Sequence, residues 1–98
     1  MDNKLSVIIP TFNVEIYLEE LLCCIENWAD EIIICDSFST DKTLEIAHRH
    51  DVKIVQHEYI NSAKQKNWII PQATNNWVMI IDADEKPEEA LKLSLIHI

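Results

Sequence analysis

The sequence predicts an α/β domain built on a parallel sheet, and three observations carry that reading. Four short runs of β-branched and other apolar residues recur along the chain, at 5–9, 31–35, 52–55 and 77–81. Strands that are apolar almost without a break belong in sheets covered on both faces, and such sheets are usually parallel. The segments between the runs carry helical spacing, so the pattern reads β-α-β-α-β-α-β, with right-handed crossovers. Polar residues with chemical capacity follow the runs directly: Thr11 and Asn13 after the first, Asp36 after the second, Asp82 and Asp84 after the fourth. Ligands of such sheets bind outside the carboxyl ends of the strands, where strand order reverses.

Each element has its own justification. The first run stops at Pro10. Leu18, Leu21, Leu22, Ile25 and Trp28 then recur at three and four residues and form one apolar stripe, a core face of the first helix. Asn13 or a neighbour caps that helix. Ser39-Thr40-Asp41 opens the second helix, with Leu44 and Ala47 inward and an acid near the positive end of its dipole. Residues 62–68 form a third helix, which Pro71 ends or kinks.

At the end of the fourth run stands Ile80-Ile81-Asp82-Ala83-Asp84. Side chains alternate along a strand, so Asp82 and Asp84 project to the same side. Two carboxylates so placed repel unless a cation lies between them or water screens them. Mg²⁺ and Mn²⁺ take carboxylate oxygens and leave positions for substrate phosphates. The plainer reading is an acidic exit from strand to loop. Asp36 likewise reads as a turn acid or as a ligand-binding one, and Thr11 and Asn13 as a cap or as pocket residues. Lys64 and Lys66 read as a solvated helix face or as phosphate ligands. His48, His50 and His57 show no ligand spacing and read as surface residues.

Composition bounds the class. The chain has 98 residues, 48% hydrophobic and 26% charged, which suits a globular unit rather than a disordered or membrane-spanning one. No apolar stretch approaches the ~20 residues needed to cross a bilayer, and no basic segment leads into an apolar one as in a signal peptide. A net charge of −9 argues against nucleic acid as a partner. Cys23, Cys24 and Cys35 are odd in number and read as reduced thiols of a cytoplasmic protein.

Pro10-Thr11-Phe12-Asn13, Asp36-Ser37-Phe38-Ser39-Thr40-Asp41-Lys42-Thr43 and Asp82-Ala83-Asp84-Glu85 resemble, in order and spacing, the start of a family 2 glycosyltransferase with the GT-A fold. Ala63-Lys64-Gln65-Lys66-Asn67-Trp68 and Glu85 extend the likeness to the bacterial branch that adds sugar to the lipopolysaccharide core. The resemblance implies a Rossmann-like, three-layer, nucleotide-binding half with parallel strands in the order 3-2-1-4, incomplete as it stands. It implies that Thr11 and Asn13 line the base and ribose pocket and that Asp36 accepts from the uracil imide. Ser37 and Lys64 would join the nucleotide-sugar site. Asp82 would hold the ribose or a metal-bound water, and Asp84 the cation, Mg²⁺ or Mn²⁺. Where the family often has Gly, this chain has Phe38, and it has no Gly at all.

The implied reaction transfers a hexose from a UDP-sugar to a saccharide or lipid-linked acceptor with inversion. The parent enzyme would act in the cytoplasm, peripherally at the inner face of the membrane. Its general base is expected beyond residue 98, so the isolated chain should be inactive. Residues 1–92 are read as the donor-binding part and 93–98 as a non-native tail, and the fourth strand as a bare sheet edge. Two other classes stay in view. A sugar nucleotidyltransferase-like enzyme wants a Gly-rich phosphate loop after the first strand. A receiver-type signalling module wants an acidic pair there and an Asp after the third strand, where Gln56-His57 stand.

Overall fold

A computed structural model describes residues 4–58, 62–81 and 95–97. Five strands, β1 (Leu5–Thr11), β2 (Glu31–Asp36), β3 (Lys53–Gln56), β4 (Trp77–Ile80) and β5 (Leu95–His97), form one sheet in the order β3-β2-β1-β4-β5. The helices are α1 (Glu15–Ile25), α2 (Thr43–Ala47) and α3 (Ser62–Ile69), the last running into a 3₁₀ turn, Ile70–Gln72. β1 to β4 are parallel in the order the resemblance implies. In receiver modules β1 lies between β2 and β3; here it lies between β2 and β4, so that alternative falls.

Alternation along the strands builds the core on both faces. Val7, Ile9, Ile32 and Ile34 meet Leu18, Leu21, Leu22 and Ile25 of α1 and Ile46 and Ala47 of α2. Ile8, Ile33, Cys35, Val78 and Ile80 form the other face with Ile69 of α3. Each such Val, Leu or Ile side chain, fully buried, contributes about 1.5–3 kcal/mol of transfer free energy. This explains why the strands read as apolar throughout: neither face is wet.

The structure corrects several expectations. β1 does not stop before Pro10 but runs through it to Thr11. Pro10 is tolerated because alternate residues face alternate neighbours. Ile8 accepts a hydrogen bond from Ile81 on the β4 side, so position 10 faces that side too. A proline there lacks the N–H that would extend the β1–β4 ladder, and pairing ends at Ile8↔Ile80. The apolar stripe of α1 ends at Ile25, and Trp28 is exposed, because the helix has ended before it. Ile46 is buried on α2, whereas Leu44 is only half-buried. β4 is not a bare edge: β5 pairs with it antiparallel, Val78 opposite Ile96, so its backbone groups have strand partners. Among the described residues no helix is long and apolar enough to cross a membrane.

Candidate functional site

Three strand ends converge on one carboxylate. Thr11 and Asp36 are register partners on β1 and β2, and Thr11 Oγ1 donates to Asp36 Oδ1 at 2.7 Å. Ser39 donates its hydroxyl to Oδ1 at 2.5 Å and its backbone N–H to Oδ2 at 2.8 Å. Gln56, the last residue of β3, donates to Oδ2 at 3.4 Å, longer than an ordinary N–H···O bond. Asp36 is wholly buried. It is therefore an anchor for the loops at this edge, and Gln56 is its most weakly held partner.

The loops after β1 and β2 staple each other, and this changes the assignment for Asn13. The N-cap of α1 is Val14, without a side-chain cap. Asn13 instead reaches across: its Oδ1 accepts from Thr40 N at 2.8 Å and Asp41 N at 3.3 Å. The first N–H groups of α1 are satisfied by the other loop, Val14 by Thr43 Oγ1 at 2.9 Å and Glu15 by Asp41 Oδ2 at 3.2 Å. Asn13 N donates to Ser39 Oγ at 2.9 Å. These are the groups a helix start leaves unpaired, so the two loops share one network. In that network Asp41 also accepts from Thr43 N at 2.9 Å and from Thr43 Oγ1. Burial pushes the Asp41 carboxyl up, but the Thr43 and Glu15 hydrogen bonds outweigh it and hold it below its usual value.

Two residues here have left-handed backbones, Asn13 at φ 50° and Phe38 at φ 59°. Asn tolerates that region; for a Cβ-bearing residue such as Phe it costs roughly 1–2 kcal/mol. The turn around Phe38 thus has the geometry a glycine would relax, in a chain that has none. The side chains of Phe12 and Phe38 are both more than half exposed, giving this edge two aromatic surfaces.

Ser37 is half-buried. Its N–H donates to the Thr11 carbonyl at 2.9 Å, and its hydroxyl accepts from Gln65 Nε2 at 3.3 Å. Gln65, 5% exposed, is the α3 residue turned to the strand ends, and the reading from sequence missed it. Its signal was there: it lies four residues before Ile69, on the buried face of the helix. Lys64 beside it lies on the exposed side, and the side chain of Lys66 lies outside the described residues. Asp82, Asp84 and Glu85 also lie outside them. As a donor set, two carboxylates suit a hard divalent cation. The chain reaches residue 82 from Ile81, whose N–H donates to the Ile8 carbonyl at 3.0 Å.

Two histidines, His50 and His57, are half-buried rather than surface residues. His57 donates its backbone N–H to the Asp36 carbonyl at 3.0 Å. Its ring stacks on Trp68, centroids 4.0 Å apart and planes at 23°, and its Nδ1 is buried with no partner among the described residues. His50 is held between Glu19 and Glu26; spacing along the chain gave no sign of it, because the partners are 31 and 24 residues away. His48 is exposed.

Comparison with known proteins bears on this arrangement. Residues 6–96 match the family described as glycosyl transferase family 2. An uncharacterized glycosyltransferase of Rickettsia bellii is 34% identical over 98 residues, all of this chain and 33% of that protein. A dolichyl N-acetyl-alpha-D-glucosaminyl phosphate 3-beta-D-2,3-diacetamido-2,3-dideoxy-beta-D-glucuronosyltransferase of Methanococcus voltae is 35% identical over 102 residues, covering 89% of this chain and 31% of that protein. The chain thus spans about a third of the length of these relatives. The fold is that of glucosyl-3-phosphoglycerate synthase from Mycobacterium tuberculosis, solved with uridine diphosphate. The TM-score is 0.72 at 24% identity, over 86% of this chain and 35% of that one. The same synthase has been solved with Mn²⁺ and UDP-glucose (TM-score 0.70, 23% identity, 86% and 35% covered). With the strand order, the shared loop network and a family match over nearly the whole chain, the conclusion is that this chain belongs to glycosyl transferase family 2.

Proposed function

We propose that the chain forms the donor-binding part of an inverting glycosyltransferase that uses a UDP-hexose. The observation that carries the reading is the convergence of β1, β2 and β3 on Asp36 at the carboxyl edge, beside the parallel β1–β4 pair that leads to Asp82. In this reading Thr11, Asp36 and Ser37 shape the base pocket. Asn13 holds the two loops in register beside it. The exposed rings of Phe12 and Phe38 offer apolar surface to a planar base, and Lys64 offers charge to the phosphates.

Asp82 and Asp84 would hold a divalent ion, Mn²⁺ by analogy with the synthase or Mg²⁺ by the same donor chemistry. When bound, the ion would neutralise the departing diphosphate. No residue of this chain is assigned as the base that takes the acceptor proton. The acceptor is proposed to be a saccharide or lipid-linked sugar, in lipopolysaccharide-core synthesis at the cytoplasmic face of the membrane. The Methanococcus voltae relative, whose name gives a dolichyl-linked sugar phosphate as its acceptor, supports a lipid-linked acceptor. The donor-binding unit is proposed to span residues 1–92, with 93–98 as a non-native tail whose residues 95–97 pair with β4.

Calorimetric titration with UDP, UDP-glucose and GDP-mannose, with and without Mn²⁺, tests the donor. The expected result is Mn²⁺-dependent binding of UDP and UDP-glucose, abolished by Asp84→Asn with the fold intact, and weaker binding of GDP-mannose. Preference for GDP-mannose, or metal-independent binding unaffected by Asp84→Asn, would contradict it.

A further inference from the structure

A second group of side chains gathers where α1 ends and the chain turns after α2, toward the amino ends of the strands. Glu19 and Cys23 stand one turn apart on α1, and His50 follows α2. One donor atom from each of the three lies within 4.8 Å of the other two. His50 Nε2 is 2.7 Å from Glu19 Oε2, and its Nδ1 is 3.0 Å from Glu26 Oε2. The imidazole is 10% exposed while the carboxylates are about half exposed, so packing fixes the ring and leaves the acids open to solvent.

This is not a plain acidic cluster. It presents one nitrogen, one sulfur and one oxygen donor, the mixture that suits zinc and its borderline-soft relatives rather than Mg²⁺. A metal-binding imidazole almost always donates its other ring N–H to a carboxylate, a backbone carbonyl or water, which fixes tautomer and orientation, and Glu26 stands in that position. We infer that Glu19, Cys23 and His50 form a zinc-class divalent metal site, with Glu26 orienting His50. The Cys23 sulfur, His50 Nε2 and a Glu19 oxygen donate lone pairs to the ion. The thiol proton, and the proton shared between Nε2 and Glu19, pass to solvent. A bound ion ties α1 to the turn after α2 and leaves the opposite, Asp36-bearing edge untouched.

Titration of the full chain with Co²⁺ under reducing conditions tests the assignment, because thiolate ligation gives a near-ultraviolet charge-transfer band. The expected result is a band that saturates at one equivalent and is displaced by Zn²⁺. It should be lost in Cys23→Ser and kept in Cys24→Ser. Both cysteines are exposed, so neither change disturbs the core, and an unchanged circular dichroism spectrum verifies the fold. Competition with a chromophoric chelator should show Zn²⁺ affinity falling about 10–100-fold in Glu26→Gln. No band in the parent chain, a band that survives Cys23→Ser, or Zn²⁺ affinity unchanged in both Glu19→Gln and Glu26→Gln would overturn the site.

Discussion

Two hydroxyl–carboxylate pairs join β1 to β2, one at each edge of the sheet. Ser6 donates to Glu31 and Thr11 to Asp36, both at 2.7 Å and both between register partners. The chemistry is the same and the surroundings are not. At the amino edge Glu31 also takes the N–H and hydroxyl of Thr74, at 2.9 and 2.7 Å. Ser6 Oγ accepts from Asn75. That network closes on the loop entering β4 and holds the strand in place. At the carboxyl edge Asp36 gathers two loops that lead to helix starts, and around it stand strained backbone and exposed aromatic rings. Direction along a parallel strand therefore separates a pair that ties strands to a loop from one at the edge where ligands of such sheets bind, the edge proposed to hold the site.

The largest effect that separates the edges is expected from Asp36→Ala. It strands the buried Thr11 hydroxyl and the half-buried Ser39 hydroxyl and N–H, at an expected cost of about 3 kcal/mol, and is expected to abolish the proposed UDP binding. Glu31→Ala is expected to cost about 1 kcal/mol and to leave UDP affinity unchanged. Urea denaturation and calorimetry on the two variants check this; equal loss of UDP affinity in both would erase the distinction.

The acid dependence sharpens it further. Burial raises the Glu31 carboxyl, but the Thr74 N–H, the Ser6 and Thr74 hydroxyls and the charge of Lys53 outweigh it and leave it below 4.5. A carboxyl lowered on folding stabilises fully above its unfolded value and loses that contribution as pH falls through the folded one. Stability is expected to decline with acid below about pH 4.5, and Thr74→Val to flatten that decline. A slope unchanged by Thr74→Val would remove Glu31 from the account.

The smallest effect is at Phe38. Replacing it by Gly relaxes the φ of 59° and is expected to raise stability by about 1 kcal/mol. A lower UDP affinity in the same variant would show that the ring serves the ligand. Thermal melting reads the first and calorimetry the second; a lower melting temperature would mean that the ring packs better than the backbone suffers.

Much of this was legible in the sequence. The unbroken apolar runs announce a sheet covered on both faces, and Thr11 and Asp36 stand at the carboxyl ends of β1 and β2, so the edge proposed to hold the site could be picked out from the sequence. What stayed hidden depends on distance along the chain. Asn13 beside a helix start looks like a cap, and only the fold brings Thr40 and Asp41 within reach of it. His50 looks like a surface residue until α1 is laid beside it. Pro10 looks like a strand terminator because the sequence does not say which neighbour its missing N–H would face. Gln65 draws less notice than the lysines beside it, because charge is easier to see in a sequence than the buried face of a short helix.

The central claim is that the carboxyl edge binds the nucleotide–metal complex and the amino edge does not. Amide NMR of the isotopically labelled chain with UDP and paramagnetic Mn²⁺, against Mg²⁺ as the diamagnetic control, tests it directly. The account predicts UDP-dependent broadening of the amides of Thr11, Asn13, Ser37 and Ser39, with Ser6, Glu31 and Thr74 unaffected. Broadening centred on Glu31 and Thr74, or broadening that does not depend on UDP, would contradict it.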